Sequence, residues 1–540
     1  MMKHGKRLLA AVLAGVLTLG TGCVEARAEA PEYLKSVTYF GDEWPINYWG
    51  SEDKDMAANL ARIAADGFNS IILVVPWRQF QPDTSSTLFN EEAFDRLEEI
   101  LACAKMHGLW VTLRIGYSWD YYGDAALPAR FEDIFMNDRY DRSAWLSYCK
   151  KLYETVSTHE NFYGAFLTWE DFWEFSYSMS RDVIKSSRVR LAERCGYTEY
   201  LRTHYTLEEV SRRYREEFSD FSQVYIPFQD RMSAELFYEF YDQALMELLY
   251  ESQQVFPGLS MEVRADADKV YNADGSHEYY SHSATYSCEG AEYPALMYSV
   301  SMGQKNVGDR ITAAEALAGM ERSLKGLCAQ SGKKVYMEQF LYMDSTESVA
   351  QNTKIYDEEV EEFVLQSAPI LKETTMGYGL WVYRNYVNNC VYNGQFGLGL
   401  EGWEHTGSVA VEGVNGTPMA LLGRTGRLSQ KLEGRLRRGE QIHIRLYAEP
   451  KIHPSMLTMR IGEKKVNIRV TEAGVYTASI PWTNSYNLEI STSRSVYLDD
   501  LKIYTYEQEG RIYGTDGEEL DLAPAFRKLN ENLDLKSDRE

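Results

Sequence analysis

The sequence predicts an α/β protein that consists of a (β/α)8 TIM barrel followed by an all-β jelly-roll sandwich. Eight short apolar runs alternate with amphipathic helical stretches between about residues 36 and 388, the pattern of parallel strands with crossover helices. After Asn389 the helical period ends, and glycines separate short runs of alternating polarity that are typical of an antiparallel sandwich.

Each barrel strand is predicted from a short β-rich run with a helical stretch after it. The eight predicted strands are Val37–Phe40, Ser70–Pro76, Trp110–Ile115, Gly164–Trp169, Ser260–Ala265, Ala295–Ser299, Lys334–Phe340 and Gly377–Tyr383. The fourth and fifth strands are much further apart than the others, which predicts an insertion at about 175–230. Since it follows a strand's carboxyl end, this segment rich in Arg, Glu and Tyr either shapes a substrate cleft or is a solvated decoration.

A chain of 540 residues is too long for one hydrophobic core. We expect a signal peptide at 1–30, the barrel at 31–388, the sandwich at 389–506 and a C-terminal tail at 507–540. Lys and Arg total 56 against 80 Asp and Glu, a net charge of −24 that repels phosphate backbones and anionic lipid headgroups. Nucleic acid is therefore not an expected partner.

The N-terminus has the order of a secretory signal, with basic residues before the apolar run Leu8–Leu19 and small residues after it. Two processing sites compete. Ala26-Arg27-Ala28 resembles a signal-peptidase site, and Gly20-Thr21-Gly22-Cys23 resembles a lipobox whose cysteine is lipidated. We expect an exported protein, either secreted or tethered to a membrane only through a lipid on Cys23.

The other six cysteines are scattered and lack C-x-x-C spacing, so buried free thiols are expected. The nine histidines are dispersed, and no zinc-ligand spacing occurs. We therefore expect no metal or cofactor in the barrel.

Two carboxylates lie at predicted strand ends, where the side chains of such a barrel face its active site. Glu170 follows the fourth strand, and Glu338 lies near the end of the seventh. Cleavage of a glycosidic bond needs such a pair, one acid to protonate the leaving oxygen and one carboxylate to attack the anomeric carbon. Rings surround Glu170, at Trp169, Phe172, Trp173 and Phe175, and apolar surroundings raise the pKa of a carboxyl as a general acid requires.

These glutamates, with Tyr298 closing the sixth strand and Trp381 in the eighth, resemble the clan A glycoside hydrolases, the cellulase-like (β/α)8 superfamily. The resemblance covers about residues 36–388. It implies that Glu170 is the acid/base and Glu338 the nucleophile, that Tyr298 steadies the nucleophile, and that Trp381 is a platform for the sugar. It also implies retention of configuration, with the two carboxyl groups about 5–5.5 Å apart.

One position departs from the clan pattern. The clan usually has Asn immediately before the acid/base, where this chain has Trp169, so the subfamily and the contact to the sugar 2-hydroxyl stay open. Asp171 is a second carboxylate at the same strand end. On the fifth strand, Glu262 and Asp266 are rivals, although Glu262 is expected lower in the barrel and balanced by Arg264.

Other strand ends supply aromatic and charged side chains that suit a glycan cleft, since rings stack on pyranose faces while Arg and Asp bind hydroxyls. The predicted substrate-binding residues are Trp49, Trp77, Arg114, Tyr117, Trp119, Trp169, Asp171, Tyr298, Trp381 and Arg384.

The β-rich region resembles jelly-roll carbohydrate-binding modules in its opening Asn393-Gly394-Gln395-Phe396 and its closing run Val496–Tyr504. The resemblance implies a possible structural calcium and either sugar binding or a purely structural sandwich. Together these features predict an exported, retaining glycoside hydrolase acting on β-linked poly- or oligosaccharide. The alternative is a non-catalytic glycan-binding surface lipoprotein on the same barrel.

Overall fold

The structure is a computed structural model, and it describes most of the chain. The described residues are 30–41, 48–51, 53–84, 88–117, 134–135, 139–168, 183–228, 231–263, 269–280, 282–300, 308–343, 352–432, 436–505, 507–508 and 510–534.

Eight parallel strands form a closed barrel in the order of the chain, with the eighth strand pairing with the first. The strands are β1 (Leu34–Thr38), β2 (Ser70–Pro76), β3 (Trp110–Tyr117), β4 (Phe162–Leu167), β5 (Ser260–Val263), β6 (Ala295–Ser299), β7 (Val335–Leu341) and β8 (Thr375–Leu380). All eight predicted strands are confirmed, with their ends shifted by up to three residues. β2 is buried along its whole length because the barrel covers one face and the helices cover the other.

Helices surround the barrel and carry most of its outer core. They are α1 (Met56–Ala65), α2 (Trp77–Phe80), α3 (Glu91–Met106), α4 (Arg139–Val156), α5 (Lys185–Arg194), α6 (Tyr197–His204), α7 (Leu207–Tyr214), α8 (Ala234–Gln253), α9 (Ser283–Tyr286), α10 (Ala313–Ser331), α11 (Val360–Gln366), α12 (Ala368–Thr374) and α13 (Ala523–Asp534). Within the described ranges, no helix is both long enough and apolar enough to span a bilayer.

The predicted insertion after β4 is confirmed and contains α5, α6 and α7. α7 begins with a capping box, in which the Thr206 hydroxyl accepts a hydrogen bond from the Glu209 amide and the Glu209 carboxylate accepts one from the Thr206 amide. A short two-stranded hairpin, Lys269–Tyr271 with His277–Tyr279, follows β5. Both connections leave the carboxyl-terminal face of the barrel.

The C-terminal region is a sandwich of two five-stranded antiparallel sheets. Its strands are β9 (Glu404–Thr406), β10 (Val409–Val414), β11 (Thr417–Leu422), β12 (Arg427–Lys431), β13 (Gln441–Pro450), β14 (Ser455–Ile461), β15 (Lys464–Val470), β16 (Gly474–Pro481), β17 (Asn487–Thr492) and β18 (Val496–Tyr504). One sheet has the order β9-β12-β17-β14-β15, and the other has the order β10-β11-β18-β13-β16. Trp403 stacks on Phe396 in the core between them, whereas Trp482 is half-buried.

The chain returns from the sandwich to the barrel. Strand Tyr386–Val387, which leaves the barrel, pairs antiparallel with Glu507–Gln508, which re-enters it. Beyond this pair, α13 packs beside β8: the Asn530 Oδ1 atom accepts a hydrogen bond from the Tyr378 hydroxyl at 2.6 Å. The Asn530 amide donates to the Asp66 carbonyl at 3.0 Å. The sandwich is thus inserted between β8 and α13, and part of the segment predicted as a tail completes the barrel wall.

The buried Asn530 side chain is expected to stabilise this closure. Asn530→Ala removes two buried hydrogen bonds and is expected to lower the free energy of unfolding by about 2–3 kcal/mol. Asn532→Ala is the matched control, because Asn532 lies in the same helix and is only partly buried. Denaturant unfolding of the full chain measures both. Equal stability of the two variants would contradict the role assigned to Asn530.

Candidate active site

Glu338 lies at a bulge in β7. Against β8 the strand has one extra residue between Met337 and Phe340, and against β6 it has one extra residue between Tyr336 and Gln339. Met337 and Phe340 both pack in the outer core beneath the helices. The two residues between them, Glu338 and Gln339, are therefore both directed towards the barrel interior, and Glu338 is 1% exposed.

Arg114 on β3 crosses the barrel interior and joins three other strands. Its Nη1 atom donates to the Gln339 Oε1 atom on β7 at 3.1 Å, and its Nη2 atom donates to the Thr168 hydroxyl after β4 at 3.1 Å. Nη2 also lies 3.1 Å from the Glu262 Oε2 atom on β5. Arg114 is 2% exposed, so these contacts compensate a charge that is removed from water.

Glu262 is fully buried and faces the interior, since its neighbours Met261 and Val263 pack in the outer core. The sequence predicts Arg264 as its partner, but the cation beside it is Arg114. Arg264 itself lies outside the described residues.

Beneath the ion pair the barrel interior is filled by apolar and aromatic side chains. Tyr336, two residues before Glu338, donates its hydroxyl to the Ser36 hydroxyl oxygen at 2.8 Å. Burial raises the pKa of Tyr336, and the nearby Glu338 carboxylate raises it further, so the phenol keeps its proton. The side chains that cluster there are Leu34, Ile72, Phe166, Tyr293, Ala295 and Tyr336.

Tyr298 is predicted to steady the nucleophile, but the structure places it on the outer face of β6. Its ring stacks on Phe340 at a centroid distance of 6.3 Å, and Phe340 packs against Phe363 of α11. Alternation along β6 explains this position, because Ala295 faces the interior and Leu296 the outer core. Tyr298 is therefore a packing residue here, and burial raises its pKa.

Trp381 and Arg384 follow β8. Trp381 is 6% exposed and packs against Phe40 after β1, with ring centroids 5.4 Å apart. The peptide bond after Trp381 is cis. Arg384 turns away towards the returning chain, where its Nη2 atom donates to the Thr515 carbonyl at 2.5 Å. Trp381 thus stays near the barrel rim, whereas Arg384 connects the barrel to the segment after the sandwich.

Trp49 and Trp77 are held by packing. The Trp49 indole donates to the Val74 carbonyl at 2.9 Å, and its ring packs edge-on against Phe80. Trp77 is fully buried and packs against Trp145 of α4 at 5.2 Å. Both rings therefore pack in the outer core, Trp49 in the connection that follows β1 and Trp77 directly after β2.

Several predicted site residues lie outside the described part of the chain. These are Glu170, Trp169, Asp171 and Trp119, together with the side chain of Tyr117. Thr168 is the last described residue before Glu170. The hydrogen bond that its hydroxyl accepts from Arg114 fixes the position of the chain directly after β4. The separation between the Glu170 and Glu338 carboxyl groups stays a prediction.

Sequence reasoning missed the roles of Gln339 and Thr168. A signal exists for Thr168, because it is a polar residue directly after the apolar run 165–167 at a strand end. No such signal exists for Gln339, because its inward direction depends on the bulge in β7. Among the described residues, no group of three or more His, Cys, Asp or Glu side chains could hold a metal ion. The predicted calcium in the sandwich therefore stays a prediction without assigned ligands.

No protein-family model and no curated protein matches the sequence. Among solved structures, the chain is similar to a GH5_18 protein from Streptomyces cattleya in complex with GlcNAc, at 17% identity and a TM-score of 0.40, over 65% of this chain and 72% of that one. It is also similar to a GH5_18 protein from Bifidobacterium longum, at 12% identity and a TM-score of 0.41, over 66% and 71% of the two chains.

A third similar structure is the exo-β-1,4-mannosidase Op5Man5 from Opitutaceae bacterium strain TAV5. The identity is 11% and the TM-score is 0.39, over 66% of this chain and 52% of that one.

Breaking the ion pair in the barrel is expected to destabilise the fold strongly, because an unpaired charge is then left in the interior. Arg114→Met removes the cation facing the buried Glu262 carboxylate and is expected to lower the free energy of unfolding by about 3–5 kcal/mol. The double variant Arg114→Met with Glu262→Met removes both charges and is expected to recover a large part of that loss. Denaturant unfolding measures each variant.

Arg142→Met is the matched control, because the Arg142 pair with Glu251 at 2.7 Å is partly exposed. Surface pairs of this kind contribute less than about 1 kcal/mol. A loss in Arg114→Met no larger than that in Arg142→Met would contradict the account.

Proposed function

We propose that this protein is a retaining glycoside hydrolase that cleaves β-linked poly- or oligosaccharide, with Glu338 as the nucleophile and Glu170 as the acid/base. The observation that carries the proposal is the position of Glu338, which follows the inward-facing Tyr336 by two residues and faces the interior near the carboxyl end of a closed parallel barrel. The bulge in β7 turns the next residue, Gln339, inward as well. Reactive side chains of such barrels lie at this end. Bulges commonly occur beside active sites, where they redirect a side chain.

A second observation supports the pairing of the two glutamates. One guanidinium, that of Arg114, contacts both Gln339, next to Glu338, and Thr168, two residues before Glu170. The strand ends that carry the two carboxylates are thereby fixed relative to each other. A hydrolase needs this arrangement, because the acid and the nucleophile must act on opposite sides of one glycosidic bond.

The proposed reaction has two displacement steps. In the first, Glu170 donates its proton to the glycosidic oxygen while the Glu338 carboxylate attacks the anomeric carbon. The bond to the leaving sugar breaks, and a glycosyl ester forms on Glu338. In the second, the Glu170 carboxylate takes a proton from water, the hydroxide oxygen attacks the anomeric carbon, and the ester bond to Glu338 breaks. The product keeps the configuration of the substrate.

Sugar contacts are proposed for the predicted residues near the barrel rim. Trp381 and Trp49 lie in the connections after β8 and β1, and Trp119, Trp169 and Asp171 follow β3 and β4 in the sequence. Arg114 acts as a positioning residue, since its guanidinium is committed to protein partners. We also propose that the sandwich binds glycan. The protein is proposed to be exported through a signal at residues 1–30, with or without a lipid on Cys23.

Substitution of Glu338 tests the catalytic assignment. Glu338→Gln keeps the shape of the side chain but removes the nucleophile, so hydrolysis of aryl β-glycosides and β-linked polysaccharides is expected to fall by at least about a thousandfold. Glu170→Ala is expected to lose comparable activity and to recover it with azide, which forms a β-glycosyl azide. Glu361→Gln, an exposed glutamate on α11, is the matched control and is expected to keep full activity.

Two results would contradict the proposal. Hydrolysis that survives in Glu338→Gln would remove Glu338 from the reaction. If wild type cleaves nothing while wild type and Glu338→Gln bind one glycan equally, the protein is a glycan-binding protein rather than an enzyme.

A further inference from the structure

A cavity of about 520 Å³ lies between the insertion after β4 and the hairpin after β5. Arg213 and Arg215 at the end of α7 and Arg231 before α8 line it. Among the described residues that line the cavity, none is acidic. This composition contrasts with the whole chain, where 80 acidic residues outnumber 56 basic ones.

Two further cations lie behind the aromatic wall of this cavity. The Arg188 guanidinium is 3.8 Å from the Phe228 ring centroid and 4.6 Å from that of Tyr225. The Lys185 ammonium lies 4.6 Å from the Tyr225 ring centroid. Both rings line the cavity, so these cations add to the positive potential at its wall.

Two carboxylates offset part of this charge, and both belong to ion pairs at the edge of the cluster. Glu216 pairs with Lys185, and Glu235 pairs with Arg213. Arg215 is exposed, and its Nη2 atom donates to the Ala273 carbonyl of the hairpin at 3.1 Å. That bond holds the Arg215 guanidinium at the junction of the two connections.

The remaining lining is aromatic. The rings of Tyr214, Tyr225, Phe228 and Tyr271 are each half-buried at the cavity wall. Half-buried rings suit the C–H faces of pyranoses, and a planar guanidinium binds a carboxylate or sulfate through two parallel hydrogen bonds. The lining thus combines the two features that an acidic sugar requires.

We propose that this cavity binds a saccharide that carries a carboxylate or sulfate group. Both connections leave the face of the barrel at which Glu338 lies, so an acidic glycan held here can extend towards the catalytic carboxylates. The saccharide part of the ligand rests on the proposed glycosidase function, whereas the anionic part rests on the arginines alone.

Calorimetric titration of the full chain tests the site, in the Glu338→Gln background so that no ligand is consumed. The probes are cellobiose, cellobiouronic acid, cellobiose 6′-sulfate and inorganic sulfate. At about 0.05 M salt, one or both anionic disaccharides are expected to bind about tenfold more tightly than cellobiose, and at about 0.5 M salt the difference is expected to shrink.

The double variant Arg215→Gln with Arg231→Gln is expected to abolish the preference for the anionic disaccharide. The charge-matched control, Arg190→Gln with Arg194→Gln, changes two exposed residues of α5 outside the cavity and is expected to keep it. Equal affinity for neutral and anionic disaccharides, or a preference that survives the first double variant, would overturn the proposal. Inorganic sulfate binding as tightly as both anionic disaccharides would overturn its saccharide part.

The readout is binding, so it separates this site from the catalytic proposal. If Glu338→Gln abolishes hydrolysis but the arginine variants leave binding unchanged, only the anion site fails. If no hydrolysis occurs in wild type while the anionic preference is present and arginine-dependent, only the catalytic proposal fails.

Discussion

The buried guanidinium of Arg114 is the constraint on which the arrangement of the barrel interior depends. A charge held at 2% exposure destabilises the fold unless its partners are present and well placed. Glu262 supplies the opposite charge, and Gln339 and Thr168 accept hydrogen bonds from the same group. The contacts of Arg114 therefore fix β3, β4, β5 and β7 relative to one another. They also fix the position of Glu338, which lies next to Gln339 on β7.

The larger additions to the barrel all enter through connections at its carboxyl-terminal face. The helical insertion follows β4, the short hairpin follows β5, and the sandwich follows β8. Because α13 comes after the sandwich and packs beside β8 and the end of α1, the barrel wall is complete only when the chain has returned. The barrel can therefore be completed only after the sandwich segment of the chain has been passed. The two parts are also in contact, since Lys54 near the barrel rim forms a 2.6 Å ion pair with Asp499 of β18.

The barrel could be predicted from the sequence because its strands are short apolar runs, and apolar residues on both faces are what a parallel barrel requires. The features that could not be predicted depend on local irregularity or on distant partners. The bulge that turns Gln339 inward leaves no mark in Val335–Leu341. It also places Phe340 on the outer face beside Tyr298, contrary to the contact expected between Tyr298 and Glu338.

The pairing of Glu262 shows the same limit, since the sequence predicts a partner two residues away and the actual partner is Arg114 on another strand. The packing of α13 on the barrel is equally hard to predict, because its buried face includes the polar Asn530, whose partners Tyr378 and Asp66 lie far away in the sequence. The sequence predicts the Arg-rich insertion, but the cavity at which its cations gather is also lined by the hairpin after β5, which sequence reasoning does not predict.

The most direct test of the catalytic account is covalent labelling with 2-deoxy-2-fluoro-β-glycosides that carry a good leaving group, with the gluco, manno and galacto configurations tried in turn. The fluorine slows breakdown of the glycosyl ester, so the intermediate accumulates and its peptide can be found by mass spectrometry. We expect one fluorosugar on the peptide that contains Glu338 and none in Glu338→Gln. A label on another residue, or turnover of the parent glycoside without any label on Glu338, would contradict it.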